Sequence, residues 1–331
     1  MTPLYSIIVP VYNRPQEVEE LLGSLAQQTF KDFEVVLIED GSTQDSEQVV
    51  KDYSERLNIN YFFKQNTGPG DSRNFGMIQA QGNFFIFFDS DCIVPEHYLE
   101  ELHTALQSRG LDAFGGPDQA HASFSRTQKA INYAMTSMLT TGGIRGRKRQ
   151  LDNFQPRSFN MGIRRAVFDK VGGFSNLHPG EDPDWSYRIQ DAGFKTGLIP
   201  EAFVYHKRRI DFKKFWTQVY KFGLARTILM RSHPRSRKLV YALPALGLIL
   251  SLILFIAGFY RMYMWWPLVL GLMLILFDAL YSTKSLPIAL IGVFATAVQM
   301  AGYGWGFLKG FWHLHLFGKD PKQQFPEMYF H

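Results

Sequence analysis

The chain has 331 residues, of which 46% are hydrophobic and 15% aromatic, enough for about two domains with a substantial buried core. Cys92 is the only cysteine, so an intrachain disulfide is excluded and the composition agrees with a cytosolic catalytic part. The formal charge of +5 comes from Lys and Arg gathered between Arg145 and Lys238, which favours phosphates or an anionic membrane over a nucleic-acid partner.

Met1 to Tyr5 enters a strand-like run at once, without the charged segment and cleavage site of a signal peptide. Ser6–Tyr12 reads as a first core strand. Asn13-Arg14-Pro15 breaks it before a helix in which Val18, Leu21, Leu22 and Leu25 recur at helical spacing. Phe33–Glu39 is the next strand, ending in Asp40-Gly41-Ser42, and a surface helix and a third strand at Asn60–Lys64 follow. Strands alternating with helices argue for right-handed crossovers and a mainly parallel sheet. Asn66 to Gly76 is a glycine-rich loop running into a helix, and it has neither the dinucleotide-fold glycine spacing nor a Walker loop.

Asn83 to Cys92 carries the most information. An apolar run, Phe84–Phe88, reads as a strand buried on both faces and stops abruptly at Asp89-Ser90-Asp91. Ligands of open α/β sheets bind beyond the carboxyl ends of the strands, and a D-x-D there can hold a hard divalent cation with a phosphate-bearing ligand. The alternative is a plain turn ahead of the helix near Pro95. Ala113–Gly116 is a further strand candidate. Gly142 to Arg149 reads as a basic loop, either a solvated charge run or a phosphate-gripping lid. Phe159–Arg165 leads into a short helix stopped at Gly172-Gly173. In the next helix Asp182, ahead of Pro183, is placed as the N-cap and Gly193 as the stop.

From Phe203 the character changes. Phe212, Phe215, Trp216, Val219 and Tyr220 interleave with Lys213, Lys214 and Lys221, as in a helix at a membrane surface or one buried against the catalytic domain. Leu239–Tyr260, Met264–Tyr281 and Leu286–Leu308 are candidate spans. Asp278 is expected to reach headgroup water, and Gly302, Gly304 and Gly306 to allow close helix packing. Arg231, Arg235, Arg237 and Lys238 precede the first span, which puts the N-terminal part in the cytoplasm and, with three crossings, the residues after the last span outside. The expected organisation is a catalytic domain (1–206), a basic aromatic interface segment (207–238), a membrane region with two or three helices (239–308) and a tail (309–331). The location is the inner, cytoplasmic membrane.

Val9-Pro10-Val11-Tyr12-Asn13, Glu39-Asp40-Gly41-Ser42, Asn66-Thr67-Gly68 with Arg73-Asn74, Asp89-Ser90-Asp91, and Gly180-Glu181-Asp182 through Arg188 together resemble family 2 glycosyltransferases over about residues 2–206. The resemblance implies an α/β GT-A fold, parallel with a short antiparallel part, and inverting transfer of a sugar from a nucleotide-diphosphate donor of the UDP-sugar kind. The acceptor would be lipid-linked or a glycan, in cell-surface polysaccharide or glycolipid synthesis. It further implies that Pro10, Tyr12, Asp40, Arg73, Asp89 and Ser90 bind the donor and that Asp91 and His206 hold Mg²⁺ or Mn²⁺. Asp182 would be the catalytic base, with Glu181 beside it. Inversion needs only one base, because the leaving diphosphate is already stable as an anion. Glu39 replaces the family's more frequent aspartate, and the Q-x-x-R-W motif of processive synthases is absent, which favours transfer of single residues. Rival readings are a sugar nucleotidyltransferase and a non-catalytic membrane scaffold that keeps a nucleotide-sugar domain.

Overall fold

In the computed structural model, which describes residues 2–119, 124–141, 155–206 and 211–330, the apolar runs of the first half become strands and the periodic segments between them helices. In chain order these are β1 (Tyr5–Val11), α1 (Pro15–Ala26), β2 (Phe33–Asp40), α2 (Glu47–Tyr53), β3 (Ile59–Lys64), α3 (Pro69–Gln79), β4 (Phe84–Phe88), β5 (Cys92–Ile93) and α4 (Tyr98–Arg109). There follow β6 (Ala113–Gly115), β7 (Asp118–Gln119), α5 (Arg126–Thr136), α6 (Met138–Thr141), β8 (Asn160–Arg164), α7 (Arg165–Val171), α8 (Glu181–Asp191), β9 (Thr196–Leu198) and β10 (Val204–His206). The last third is helical, with α9 (Phe212–Ser232), α10 (Leu243–Tyr260), α11 (Trp266–Thr283) and α12 (Leu286–Phe311). The chain divides into two compact units. All the strands, their flanking helices and Phe330 form one, and α5, α6 and α9 to α12 with the residues through Tyr329 form the other.

In the first unit a seven-stranded sheet has the order β3-β2-β1-β4-β8-β6-β9. β3, β2, β1 and β4 are parallel, while β8 runs antiparallel to both β4 and β6. This is the mainly parallel sheet with a short antiparallel part that the resemblance implied. The two-residue period of a strand sends Ile7, Val9, Leu37 and Ile86 to one face, against Leu21 of α1 and Leu99 and Leu102 of α4. Ile8, Val36, Phe85 and Phe87 go to the other, against Met77 of α3, Val167 of α7 and Trp185 of α8. With both faces covered, every residue of β4 is buried. A second sheet has the order β5-β10-β7, and its antiparallel pairing sets His206 opposite Cys92.

In the second unit α9 and α12 pack side by side in the same direction. A Cβ added at Gly302 would meet Val219 and Trp216, one at Gly306 would lie 2.1 Å from the Tyr220 carbonyl oxygen, and one at Gly310 would strike Thr227. Glycine is what lets the two backbones approach this closely. Among the described residues, three segments are long and apolar enough to cross a membrane: Leu243–Tyr260, Met262–Thr283 and Leu286–Leu316, with mean hydropathies of 2.3, 1.7 and 1.6. Near the end of α11, Asp278 accepts hydrogen bonds from the hydroxyls of Tyr133 (2.8 Å) and Ser137 (2.6 Å), donors that satisfy a carboxylate on an otherwise apolar helix.

Candidate active site

The parallel strands β1, β2 and β4 deliver their motifs to one end of the sheet, where loop geometry decides what each side chain can reach. Asn13, with a φ of 53°, follows β1. Its Oδ1 accepts from the backbone N–H groups of Thr43 (2.8 Å) and Gln44 (3.0 Å), and its own N–H donates to Ser42 Oγ (2.7 Å). Glu39, fully buried at the end of β2, accepts from Ser42 Oγ and from the Ser46 N–H at 2.9 Å. The residue that departs from the family's usual aspartate is thus a brace for the loop after β2. Pro10 is half-buried and Tyr12 is 53% exposed at the rim.

Asp40 is buried and saturated. Oδ1 accepts from Lys64 Nζ (2.6 Å) and the Thr67 N–H (3.1 Å), and Oδ2 accepts from the Gly68 N–H (2.9 Å). The sequence marks Lys64 only as the end of a strand; the pairing of β2 with β3 is what sets it beside Asp40.

At the D-x-D turn, Asp91 Oδ2 pairs with Arg14 Nη1 at 2.8 Å, and Asp91 Oδ1 lies 3.1 Å from His206 Nε2. Asp89 Oδ2 is 3.9 Å from the same nitrogen, and Phe159 stacks on the imidazole with centroids 4.8 Å apart. Ser90 is buried between the two aspartates. Burial works to raise the Asp91 pKa, but the charge of His206 and its hydrogen bond, then Arg14, outweigh it and hold the carboxyl well below the usual range. Asp91, Cys92 and His206 could together approach one metal ion. Burial, reinforced by Asp91 and Asp89, pushes the Cys92 thiol far up, so it stays protonated and is a poor ligand. The two carboxylates and the imidazole nitrogen suit a hard cation that also takes phosphate oxygens. The residues therefore fit the divalent ion that the resemblance implies.

Arg73, fully buried, ties this turn to the start of α8. Its Nη2 meets Asp89 Oδ1 at 2.5 Å, and Nη1 lies 3.7 Å from Glu181 Oε1. Glu181 also takes His178 Nδ1 on Oε1 (3.1 Å) and the Gly180 N–H on Oε2 (2.9 Å). Burial raises its pKa, yet His178 and then Arg73 overcome that, leaving it lowered. Asp182 differs. Gly180, with φ of 132°, takes the N-cap position of α8, so Asp182 stands inside the first turn and is not the cap the sequence suggested. The turn at Gly180 needs a backbone conformation that Asp avoids, and the cap falls to glycine. Asp182 Oδ2 accepts a long hydrogen bond from the Ser158 N–H at 3.5 Å and lies 3.9 Å from Arg157 Nη1. Burial raises its pKa, Arg157 opposes this and Glu181 adds to it, with a net upward shift.

All ten residues singled out from the sequence thus lie in the first unit. Asp89, Asp91 and His206 come together, Arg73 joins Asp89 to Glu181, and Asp182 follows Glu181 in α8. Pro10, Tyr12 and Asp40 lie at the ends of β1 and β2. Arg14, Lys64 and His178 are additions of the structure. The first residues of the basic aromatic segment, 207–210, and the basic loop from Gly142 to Arg149 fall outside the described residues. A cleft of about 350 Å³ lies on the side of Glu181 lined by Asp71, Asn74, Phe174, His178 and Phe330, and Asp89 and Asp91 take no part in it.

A mainly parallel sheet with a D-x-D turn beyond a central strand, followed by a helical region, defines a GT-A-like glycosyltransferase. The model of the family described as Glycosyl transferase family 2 matches residues 6–172, just over half of the chain, which belongs to that family. Glycosyltransferase AglE of Haloferax volcanii is 26% identical over 212 residues, 62% of this chain and 68% of that protein. An uncharacterized glycosyltransferase of Haemophilus influenzae is 31% identical over 206 residues, 61% of this chain and 67% of that protein. Poly(ribitol-phosphate) beta-N-acetylglucosaminyltransferase TarS of Staphylococcus aureus is 40% identical over 101 residues, but these cover 29% of this chain and 18% of that protein. Among solved structures, mannosyltransferase PcManGT from Pyrobaculum calidifontis, in complex with GDP-Man and Mn²⁺, superposes with a TM-score of 0.61 at 15% identity, covering 94% of this chain and 88% of that one.

Proposed function

We propose that the chain transfers one sugar residue, with inversion, from a nucleotide-diphosphate donor to a hydroxyl of a lipid-linked or glycan acceptor at the cytoplasmic face of a membrane. The observation that carries this reading is the buried Arg73 guanidinium, which couples Asp89 of the D-x-D turn to Glu181, the neighbour of Asp182. Pro10, Tyr12, Asp40 and Lys64 form the nucleoside end, and Asp89 and Ser90 face the ribose and diphosphate. Asp91 and His206, with Asp89, would hold Mg²⁺ or Mn²⁺. When bound, the cation offsets charge on the departing diphosphate.

Asp182 takes the proton of the acceptor hydroxyl as its oxygen attacks the anomeric carbon, and the bond from that carbon to the diphosphate breaks with the electron pair leaving on the phosphate. Its upward-shifted pKa makes it the more basic of the two neighbouring carboxylates, whereas Glu181 is committed to His178 and Arg73. The complex of the Pyrobaculum neighbour with GDP-Man and Mn²⁺ agrees with a metal-assisted nucleotide-sugar donor. Arg231, Arg235, Arg237 and Lys238, just ahead of α10, support a cytoplasmic catalytic unit.

The test is a set of nucleotide-sugars scored for stabilisation of the purified chain with and without Mn²⁺, since a ligand bound only by the folded state raises the melting temperature. The reading expects a Mn²⁺-dependent shift for one donor and its loss in Asp91→Ala. Undiminished transfer in excess chelator would remove the metal from the proposal.

A further inference from the structure

We propose that α12, although long and apolar enough to cross a bilayer, does not cross it: α10 and α11 alone make the passage, and α12 lies at headgroup depth on the catalytic side. The proposal rests on the reading that the helical unit enters a membrane, and three observations bear on it.

The first is where Phe330 goes. Its N–H donates to the Asn176 carbonyl at 3.0 Å, and Asn176 Nδ2 donates back to the Phe330 carbonyl at 3.1 Å. The Phe330 ring lies over Gly68, where an added Cβ would come within 2.4 Å of it, and 5.4 Å from the His178 ring. Phe330 is therefore part of the sheet-bearing unit, an α/β body with charged strand ends that stays in water. A chain that leaves this unit after His206 and rejoins it at Phe330 makes an even number of crossings. Three crossings would leave Phe330 on the far side. The residues between α12 and Phe330 include Lys319, Asp320, Lys322 and Glu327, whose charges forbid a fourth passage.

The second is the company α12 keeps. Its second half lies along α9, in the same direction, from Gly302 beside Val219 to Gly310 beside Thr227. α9 carries Lys213, Lys214, Lys221 and Arg231, charges too costly for hydrocarbon. The segment after α12 returns along α9 as well. Arg231 Nη1 donates to the carbonyls of Leu314 (3.1 Å) and Lys319 (2.6 Å), and Lys221 Nζ donates to that of Glu327 (3.4 Å).

The third is how α12 meets the other two helices. Gly304 touches Pro244, Ala245 and Leu248 at the start of α10, whereas Ala289 and Gly292 meet Ala279 near the end of α11. In a pair of antiparallel crossings these are the two ends on the near side. α12 thus runs across the mouth of the pair, where a third span would lie along its length. The exposed side chains differ accordingly. Leu290, Phe294, Trp305 and Trp312 recur on one stripe of α12 and its continuation, whereas Leu250, Leu252, Ile253, Phe255 and Ile256 spread over more than half of the circumference of α10. Tryptophans at the end of such a stripe suit the interface.

Cys92 is the only cysteine and is buried, so single added cysteines report cleanly. Glu55→Cys in the catalytic unit, Tyr263→Cys between α10 and α11, and Gln323→Cys after α12 would each be made in the full chain. They would be treated with a membrane-impermeant maleimide in sealed right-side-out and inside-out vesicles. Labelling of Cys92 only after denaturation confirms that each variant is folded. The expected result is that Gln323→Cys and Glu55→Cys are labelled in the same vesicle orientation and protected in the other, with Tyr263→Cys showing the reverse. Labelling of Gln323→Cys together with Tyr263→Cys, opposite Glu55→Cys, would overturn the proposal in favour of three crossings. Labelling of all three from one side would overturn it by showing that no helix crosses, a separate failure that falls on the membrane reading itself.

Discussion

Ile86 and Ile253 are the same side chain in opposite surroundings. Ile86 sits at the centre of the sheet with no exposed surface, while Ile253 on α10 is 57% exposed among other exposed apolar residues. In the first unit apolar side chains are withdrawn from water by the protein itself, and the polar groups sit at strand ends. In the second, glycines bring α9 and α12 together, a few large side chains such as Phe215, Val219 and Phe307 pack between helices, and the large apolar side chains of α10 and α11 point outward. The difference teaches where free energy is stored. Ring packing and hydrophobic burial hold the catalytic unit, and in the helical one close backbone approach adds to smaller apolar clusters.

The largest expected effect concerns chemistry. Asp182→Asn should lower turnover by about 10²- to 10⁴-fold, the usual contribution of a general base, while leaving donor binding nearly unchanged in a thermal-shift titration. Near-normal turnover by a folded variant would remove the base assignment. Phe87→Ala, which strips a ring packed edge-on against Phe174 and Trp185, should cost about 3–5 kcal/mol in denaturant unfolding. Gly306→Ala should cost about 1–3 kcal/mol in detergent, because the new methyl meets the Tyr220 carbonyl and forces α9 and α12 apart. If Gly306→Ala proved neutral and Phe87→Ala equally mild, the contrast between the two units would be lost. Ile253→Ala is expected to change stability in detergent by less than about 0.5 kcal/mol, as for any exposed site.

The pH dependence sharpens the role of Asp182. Its pKa is raised in the fold, and the base form exists above that pKa, so transfer should be present at neutral pH and fall as the pH drops through it. The acid limb of kcat/KM should therefore lie above the ordinary value of an aspartate. A limb at or below that value would show that the burial of Asp182 does not govern the reaction.

The sheet was legible because its signals are local. An unbroken run such as Phe84–Phe88, aromatic and closed by polar residues, reads as a strand covered on both faces, and the turn residues after each strand mark the end where the motifs gather. The D-x-D, His206 and Asp182 were singled out through their order along the chain. What stayed hidden was anything decided by pairing. The reach of Lys64 to Asp40 depends on the register of β2 and β3, and the link from Arg73 to Glu181 depends on α3 and α8 meeting over one end of the sheet. The cap of α8 was misplaced because Asp before Pro is a common cap, whereas the turn here has a backbone that selects Gly180. Asp278 shows the same limit: hydropathy sees a charge near the end of an apolar run, but not the two hydroxyls that satisfy it.

The side chain of Asn13 has a consequence for affinity. By closing onto the amides of Thr43 and Gln44, it joins the loops beyond β1 and β2 into a single rigid edge. On the proposed reading, a nucleoside arriving there would meet two loops already joined, so less of its contact energy would be spent on freezing them. Loosening that clasp would weaken binding through entropy, with every direct contact to the ligand still in place.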